Sequence, residues 1–108
     1  MTDSQDRDIL VVTTTVATLA QGQALAKRVV EERVAACAQV DAVQSVYRWG
    51  EKLCDEAEVR VTLKTVAAKA DALEAFFKQH HPYDVPEFVA TTMQASAAYA
   101  EWVRKEVS

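Results

Sequence analysis

The first strong pattern along the chain is a β-branched, nearly continuous apolar run, Ile9-Leu10-Val11-Val12-Thr13-Thr14-Thr15. Such a run predicts a strand buried on both faces, with other elements covering each side. Thr18 followed three positions later by Gln21 predicts a capping box at the start of a helix. Leu25, Ala26, Val29, Val30 and Val34 then recur at helical spacing and form one stripe, with Lys27, Arg28, Glu31 and Glu32 off it. Gly22 weakens the first turn by up to ~1 kcal/mol, which a docked stripe can absorb. From Cys37 onward Val40, Val43, Val46, Tyr47 and Trp49 favour a strand whose alternation slips near Asp41-Ala42, which predicts a bulge there. Gly50 marks a turn, and Ala57 to Lys64 alternates cleanly, with Ala57, Val59, Val61 and Leu63 on one side, as in an antiparallel strand with one packed face.

These two strands make a hairpin longer than the usual ~5–6 residues per strand. So small a chain cannot cover it, and Tyr47 and Trp49 near its tip are candidates for an interface with another subunit. Leu73, Phe76 and Phe77, continued by His80, mark a second helix after Thr65. Pro82 and Pro86 force an extended loop. Phe88 to Met93 reads as a last strand, and Ser96 can cap a final helix carrying Tyr99, Trp102 and Val103. The order β-α-β-β-α-β-α predicts an α+β, ferredoxin-like split βαβ domain: an antiparallel four-stranded sheet, two helices on one face, and an added C-terminal helix.

Length and charge narrow the function. One hundred and eight residues suit one domain, expected over 9–108 behind a disordered polar tail at 1–8. A net charge of −4 offers no basic surplus for a phosphate backbone, so nucleic acid is not an expected partner. No apolar run approaches the ~20 residues of a membrane helix, so no membrane partner is expected either. The N-terminus lacks a positive n-region and an apolar stretch, and the cytoplasm is the expected compartment.

The chemistry-bearing residues are few. With a turn at Gly50, Cys54 lies near Val46 close to the tip and Cys37 at the other end, ~30 Å away at ~3.3 Å per residue. One chain therefore joins them neither in a disulfide nor at one metal. Taken alone, Cys37 reads more readily as a small buried hydrophobe than as a ligand. His80 and His81 are neighbours, ~100° apart on a helix, so their rings do not readily share an ion. His80 suits the end of the second helix. His81 opens the stretch His81-Pro82-Tyr83-Asp84-Val85-Pro86-Glu87, an imidazole, a phenol and two carboxylates on a stiff loop. Spacing favours a rigid connector there over a metal site. His81 with Asp84 has the makings of a base and its orienter, but no nucleophile stands beside them, and no enzyme is expected.

Three stretches together resemble the CutA, or divalent-cation tolerance, family: Val30-Glu31-Glu32-Arg33-Val34-Ala35-Ala36-Cys37; Ser45-Val46-Tyr47-Arg48-Trp49 with Lys52-Leu53, Glu58-Val59 and Leu63-Lys64-Thr65; and His80-His81-Pro82-Tyr83-Asp84-Val85-Pro86-Glu87. The likeness runs from about Ile9 to Trp102. It implies a tight homotrimer in which long hairpins extend neighbouring sheets, and a tie to copper or other divalent metal ions. By position it implies Cys37 and His81 as metal ligands, with Glu58, Asp84 and Glu87 as helpers. The family trimer is similar to PII-type signalling proteins. That likeness implies the alternative of a scaffold binding a small effector, an anion or metabolite, in clefts between subunits, with Tyr47, Trp49, Arg60, Lys64 and Tyr83 along them. This chain departs at Trp49-Gly50-Glu51, where relatives read W-E-G, and at Thr13 to Ala17, where a turn with proline and aspartate is more usual.

Overall fold

The β-branched run becomes the inner strand of a four-stranded antiparallel sheet. The computed structural model describes residues 4–108. The elements are β1 (Asp8–Val16), α1 (Leu19–Glu31), β2 (Cys37–Trp49), β3 (Lys52–Thr65), α2 (Ala70–His80), β4 (Val89–Gln94) and α3 (Ala97–Glu106), with short 3-10 turns at Ser4–Arg7 and Ala67–Lys69. The sheet order is β2-β3-β1-β4. Cross-strand partners share a face, so the register assigns each residue to a side. Leu10, Val12 and Val16 of β1 join Val59, Val61 and Leu63 of β3 beneath Leu25 and Val29 of α1 and Leu73, Phe76 and Phe77 of α2. On the opposite face Ile9 packs with Ala36 and with Ala100, Val103 and Val107 at the α3 end, Val11 lying against the same group. Double-sided cover of β1 is thus realised, but on the second face only at the strand's N-terminal half. Beyond α3 that second face is open.

The helix ends follow the local chemistry. Thr18 Oγ1 accepts the Gln21 N–H at 3.1 Å, while Gln21 Oε1 accepts from Ala17, one residue earlier than a capping box requires. Ser96 Oγ caps α3 by accepting from Tyr99 at 3.1 Å. Gly22 has a use that helix propensity does not reveal. A Cβ there would lie 2.9 Å from Val59 Cγ1 and 3.2 Å from Val40 Cγ1, so the missing side chain is what lets α1 settle onto the sheet.

One expectation is corrected. No bulge interrupts β2, whose register with β3 is unbroken from Cys37↔Lys64 to Trp49↔Lys52. The slip in alternation has another cause. By register Ala38, Val40, Ala42 and Val46 lie on the helix side, and Val43, Tyr47 and Trp49 on the open face. Apolar groups therefore appear on both sides of the strand where helical cover ends. A two-residue turn closes the hairpin, with positive φ at both Gly50 (56°) and Glu51 (68°), a geometry matched to strand twist. It places Cys54 opposite Tyr47, next to Val46 as expected. Of the expected tail, Met1–Asp3 lie outside the described residues, Ser4–Arg7 form a 3-10 turn, and β1 begins at Asp8. Arg7 O accepts the Ala95 N–H and Arg7 Nε donates to Ala95 O, both at 2.8 Å. Among the described residues no helix is long and apolar enough to cross a membrane.

One buried hydroxyl is unspent. Thr65 is fully buried and its Oγ1 has no hydrogen-bond partner. Thr65→Val keeps the shape and removes an unsatisfied polar atom, so it should stabilise by about 1 kcal/mol. A thermal midpoint several degrees above wild type is the expected reading, and a lower midpoint would show that the hydroxyl is needed.

Candidate functional site

Cys37 and His81 do not meet within one chain. Cys37 stands opposite Lys64 on the α3 side of the sheet. There Lys64 Nζ lies 5.7 Å from the centre of the Tyr99 ring. Burial, and then Cys37 beside it, raise the Tyr99 phenol above its ordinary range. Both cysteines are free thiols. His81 follows α2 and packs against Thr14, which belongs to the helix-covered side. The single backbone layer of the sheet therefore separates the two sides on which these candidates lie. Among the described residues no three of His, Cys, Asp and Glu cluster closely enough to hold a metal ion.

His81 is buried at the junction of α2 and the proline-rich loop. Its Nδ1 lies 3.1 Å from the backbone nitrogen of Tyr83, which can only donate. Nδ1 therefore carries no proton, and in the neutral ring the proton sits on Nε2, 2.9 Å from Thr14 Oγ1. Phe77 and Tyr83 flank the imidazole, each with ring centres 5.3 Å away. Both ring nitrogens are thus already engaged. Burial lowers the His81 pKa from its ordinary value of 6.5, with the Thr15 backbone pulling weakly the other way. The sign for stability follows: the unfolded chain takes up this proton more readily than the folded one. The His81 contribution is fully present above about pH 6.5 and is lost as pH falls through the lower folded value. Urea midpoints measured from pH 8 to pH 5 should fall with acid more steeply for wild type than for His81→Asn. Parallel curves would contradict this.

The loop carries its phenol around to the open face. Tyr83 Oη donates to Glu58 Oε2 at 2.8 Å, and Glu58 is buried although it faces away from the two core helices. Nearby, Tyr47 Oη donates to Glu56 Oε2 at 3.1 Å. Partial burial and the Glu56 hydrogen bond push Tyr47 up to about 12, and burial with the Glu58 bond drives Tyr83 well above the usual phenol range. Burial and the Glu58 charge also raise the Glu87 carboxyl, with Arg60 opposing them. Arg60 itself forms a two-pronged pair with Asp41, at 3.1 and 2.7 Å. Cations expected to receive an anion are therefore committed, Arg60 to Asp41 and Lys64 to the Tyr99 face, while Glu56, Glu58 and Glu87 leave the patch acidic. Trp49 is exposed at the tip, and Asp84 is exposed on the loop.

Sequence reasoning left Thr14 and Glu56 out of the site. Parity gave a signal for both. Thr14 sits two residues from Val12 and Val16 on the helix-facing side, and Glu56 sits two residues from Glu58 on the open side.

An antiparallel sheet ordered β2-β3-β1-β4, two helices on one face and a hairpin projecting past the body define a ferredoxin-like α+β protein of the split βαβ class. Its residues 10–106 match the family described as CutA1 divalent ion tolerance protein, and the chain belongs to that family. It is 36% identical over 110 residues to the divalent-cation tolerance protein CutA of Citrobacter koseri, covering 95% of this chain and 96% of the relative. It is 36% identical over 83 residues to the human protein CutA, covering 75% of this chain. The chain spans about half the length of that human relative, 46%. Among solved structures, CutA from Synechococcus elongatus PCC7942 superposes with a TM-score of 0.90 at 36% identity, over 94% of this chain and 92% of its own. The PII-like protein CutA from Nostoc sp. PCC 7120 in apo form gives 0.86 at 28% identity, over 92% and 97%.

Proposed function

We propose that this protein serves divalent-cation tolerance as a homotrimer, each long β2–β3 hairpin lying against neighbouring copies. One observation carries the reading. The molecule is 52 Å long and only 24 × 22 Å across, and the projecting hairpin bears Val46, Trp49 and Leu53, which are 64%, 61% and 70% exposed. Burying a side chain of that size is worth ~1.5–3 kcal/mol, and large apolar side chains left exposed on both sides of a projecting hairpin favour its burial against other copies. Among the described residues of one copy no metal donor set gathers, and in this reading the ions are held between copies. Cys37 is the soft donor suited to Cu(I), and carboxylates such as Glu58, Asp84 or Glu87 complete the shell. Light scattering should give three times the chain mass of 11.9 kDa; a particle of one chain mass ends the trimer reading. Under reducing conditions, cuprous titration should lose its tight phase in Cys37→Ser. Unchanged stoichiometry and affinity would remove Cys37 from the proposal.

The phenol–carboxylate pairs on the open face favour a second reading, a PII-like trimer that takes a small effector between subunits. The acidic surplus suits a ligand bearing an ammonium group rather than an organic anion. Thermal-shift screening separates the two readings, because a ligand that binds only the folded state raises its midpoint. Stabilisation by small amines but not by metal ions supports the effector.

A further inference from the structure

We infer that His81 is the positioning residue of the open-face site, a neutral Nε2–H imidazole that holds Tyr83 on Glu58 from the opposite side of the sheet. The inference rests on the reading of that face as a ligand surface, but its geometry stands independently. A chain of contacts crosses the protein. Thr14 Oγ1, fully buried among the helix-facing side chains, receives the Nε2 proton at 2.9 Å. Nδ1 then has only its lone pair to offer, and it accepts the Tyr83 amide at 3.1 Å. That bond fixes the backbone two residues beyond the ring, between Pro82 and the loop tip. The Tyr83 phenol is thereby delivered to Glu58 at 2.8 Å.

Each link constrains the next. The Thr14 hydroxyl can donate or accept and so by itself leaves either tautomer open, but the Tyr83 amide, which can only donate, selects one. Phe77 on one side and Tyr83 on the other keep the ring from rotating out. Phe88 stacks edge-on against Phe77 at 5.3 Å, so both ends of the 81–88 loop close on the same aromatic cluster. A metal ion at Nδ1 would have to displace the Tyr83 amide, and one at Nε2 would have to displace Thr14. In the closed loop, His81 therefore serves geometry and not ion coordination.

Two substitutions divide the ring's roles. Asparagine places an acceptor near the position of Nδ1, and glutamine places a donor near Nε2. The full chain, labelled with 15N and 13C, is compared as wild type, His81→Asn and His81→Gln. Long-range 1H–15N correlation on wild type should show His81 with its proton on Nε2. Tyr83 amide exchange should be at least tenfold faster in His81→Gln than in wild type, and His81→Asn should restore most of the protection. The Tyr83 Cζ shift, which reports its hydroxyl bond, should move with the glutamine variant and stay with the asparagine one. A wild-type ring protonated on Nδ1, or equal Tyr83 exchange in wild type and His81→Gln, overturns the inference. The wild-type tautomer needs no variant to fold and no ligand to bind. A failed effector screen with an Nε2–H ring would therefore sink the ligand reading alone.

Discussion

Replacing Phe77 with alanine should destabilise the protein by about 3–5 kcal/mol, the usual cost of deleting a buried phenyl group. Against a total stability of about 5–15 kcal/mol for ordinary domains, that removes a large fraction. Phe77 is 2% exposed and sits in the main core with Leu73 and Phe76. It also touches both ends of the 81–88 loop, through His81 and Phe88 at ring-centre distances of 5.3 Å each. The cavity left by alanine would open beneath the loop as well as within the core. Phe76 is the natural control: it is 6% exposed, and its ring lies 4.5 Å from that of His80, with the Arg28 guanidinium 5.9 Å from its centre. Phe76→Ala should lose stability while leaving Tyr83 amide exchange near wild type, whereas Phe77→Ala should lose stability and protection together. Denaturant midpoints at one fixed protein concentration give the first quantity, since any subunit association makes stability depend on concentration. A loss under about 1 kcal/mol for Phe77→Ala would mean that the ring is not the keystone of this corner.

The elements were legible where apolar periodicity was strong. The stripe from Leu25 to Val29, the run from Ile9 to Thr15 and the alternation from Val59 to Leu63 each signal a buried face by composition alone, and Thr18 and Ser96 announce their helices through side-chain oxygens. Local sequence failed where partners are distant. Gly22 reads as a weak helix former because its reason, the methyl groups of Val59 and Val40, belongs to other strands. Apolar groups on both sides of the outer half of β2 mimic a bulge, since periodicity records which positions are apolar and not which side has been left uncovered. The site suffered most. Thr14 and His81 are 67 residues apart in sequence, and nothing near either one names the other. Whether Cys37 and His81 share a side depended on strand parity together with the side on which α2 lies. Only the second of these needed the folded chain, but without it the first decides nothing.

Introducing aspartate at both Trp49 and Leu53 should break the proposed trimer while leaving each protomer folded. By register the two side chains lie on opposite sides of the hairpin, Leu53 across from Arg48 and Trp49 across from Lys52, and neither belongs to a core cluster. Their exposure of 61% and 70% means that a lone copy gains solubility from the change and loses no internal packing. In a trimer the same change places carboxylates where apolar groups were desolvated, at several kcal/mol for each unpaired buried charge. Light scattering at micromolar concentration should therefore report one chain mass, 11.9 kDa, instead of three, with the far-ultraviolet dichroism of the sheet and helices retained. Lys52→Glu makes the control, altering charge at the same tip without removing an apolar group, and it should stay trimeric. Two stranded ribbons are marginal on their own, so the freed hairpin should also exchange its amides faster from Val43 outward than from Cys37 to Val40, where α1 still covers it. A double variant that keeps the wild-type mass would place the subunit contact elsewhere, leaving the length of the hairpin without a function.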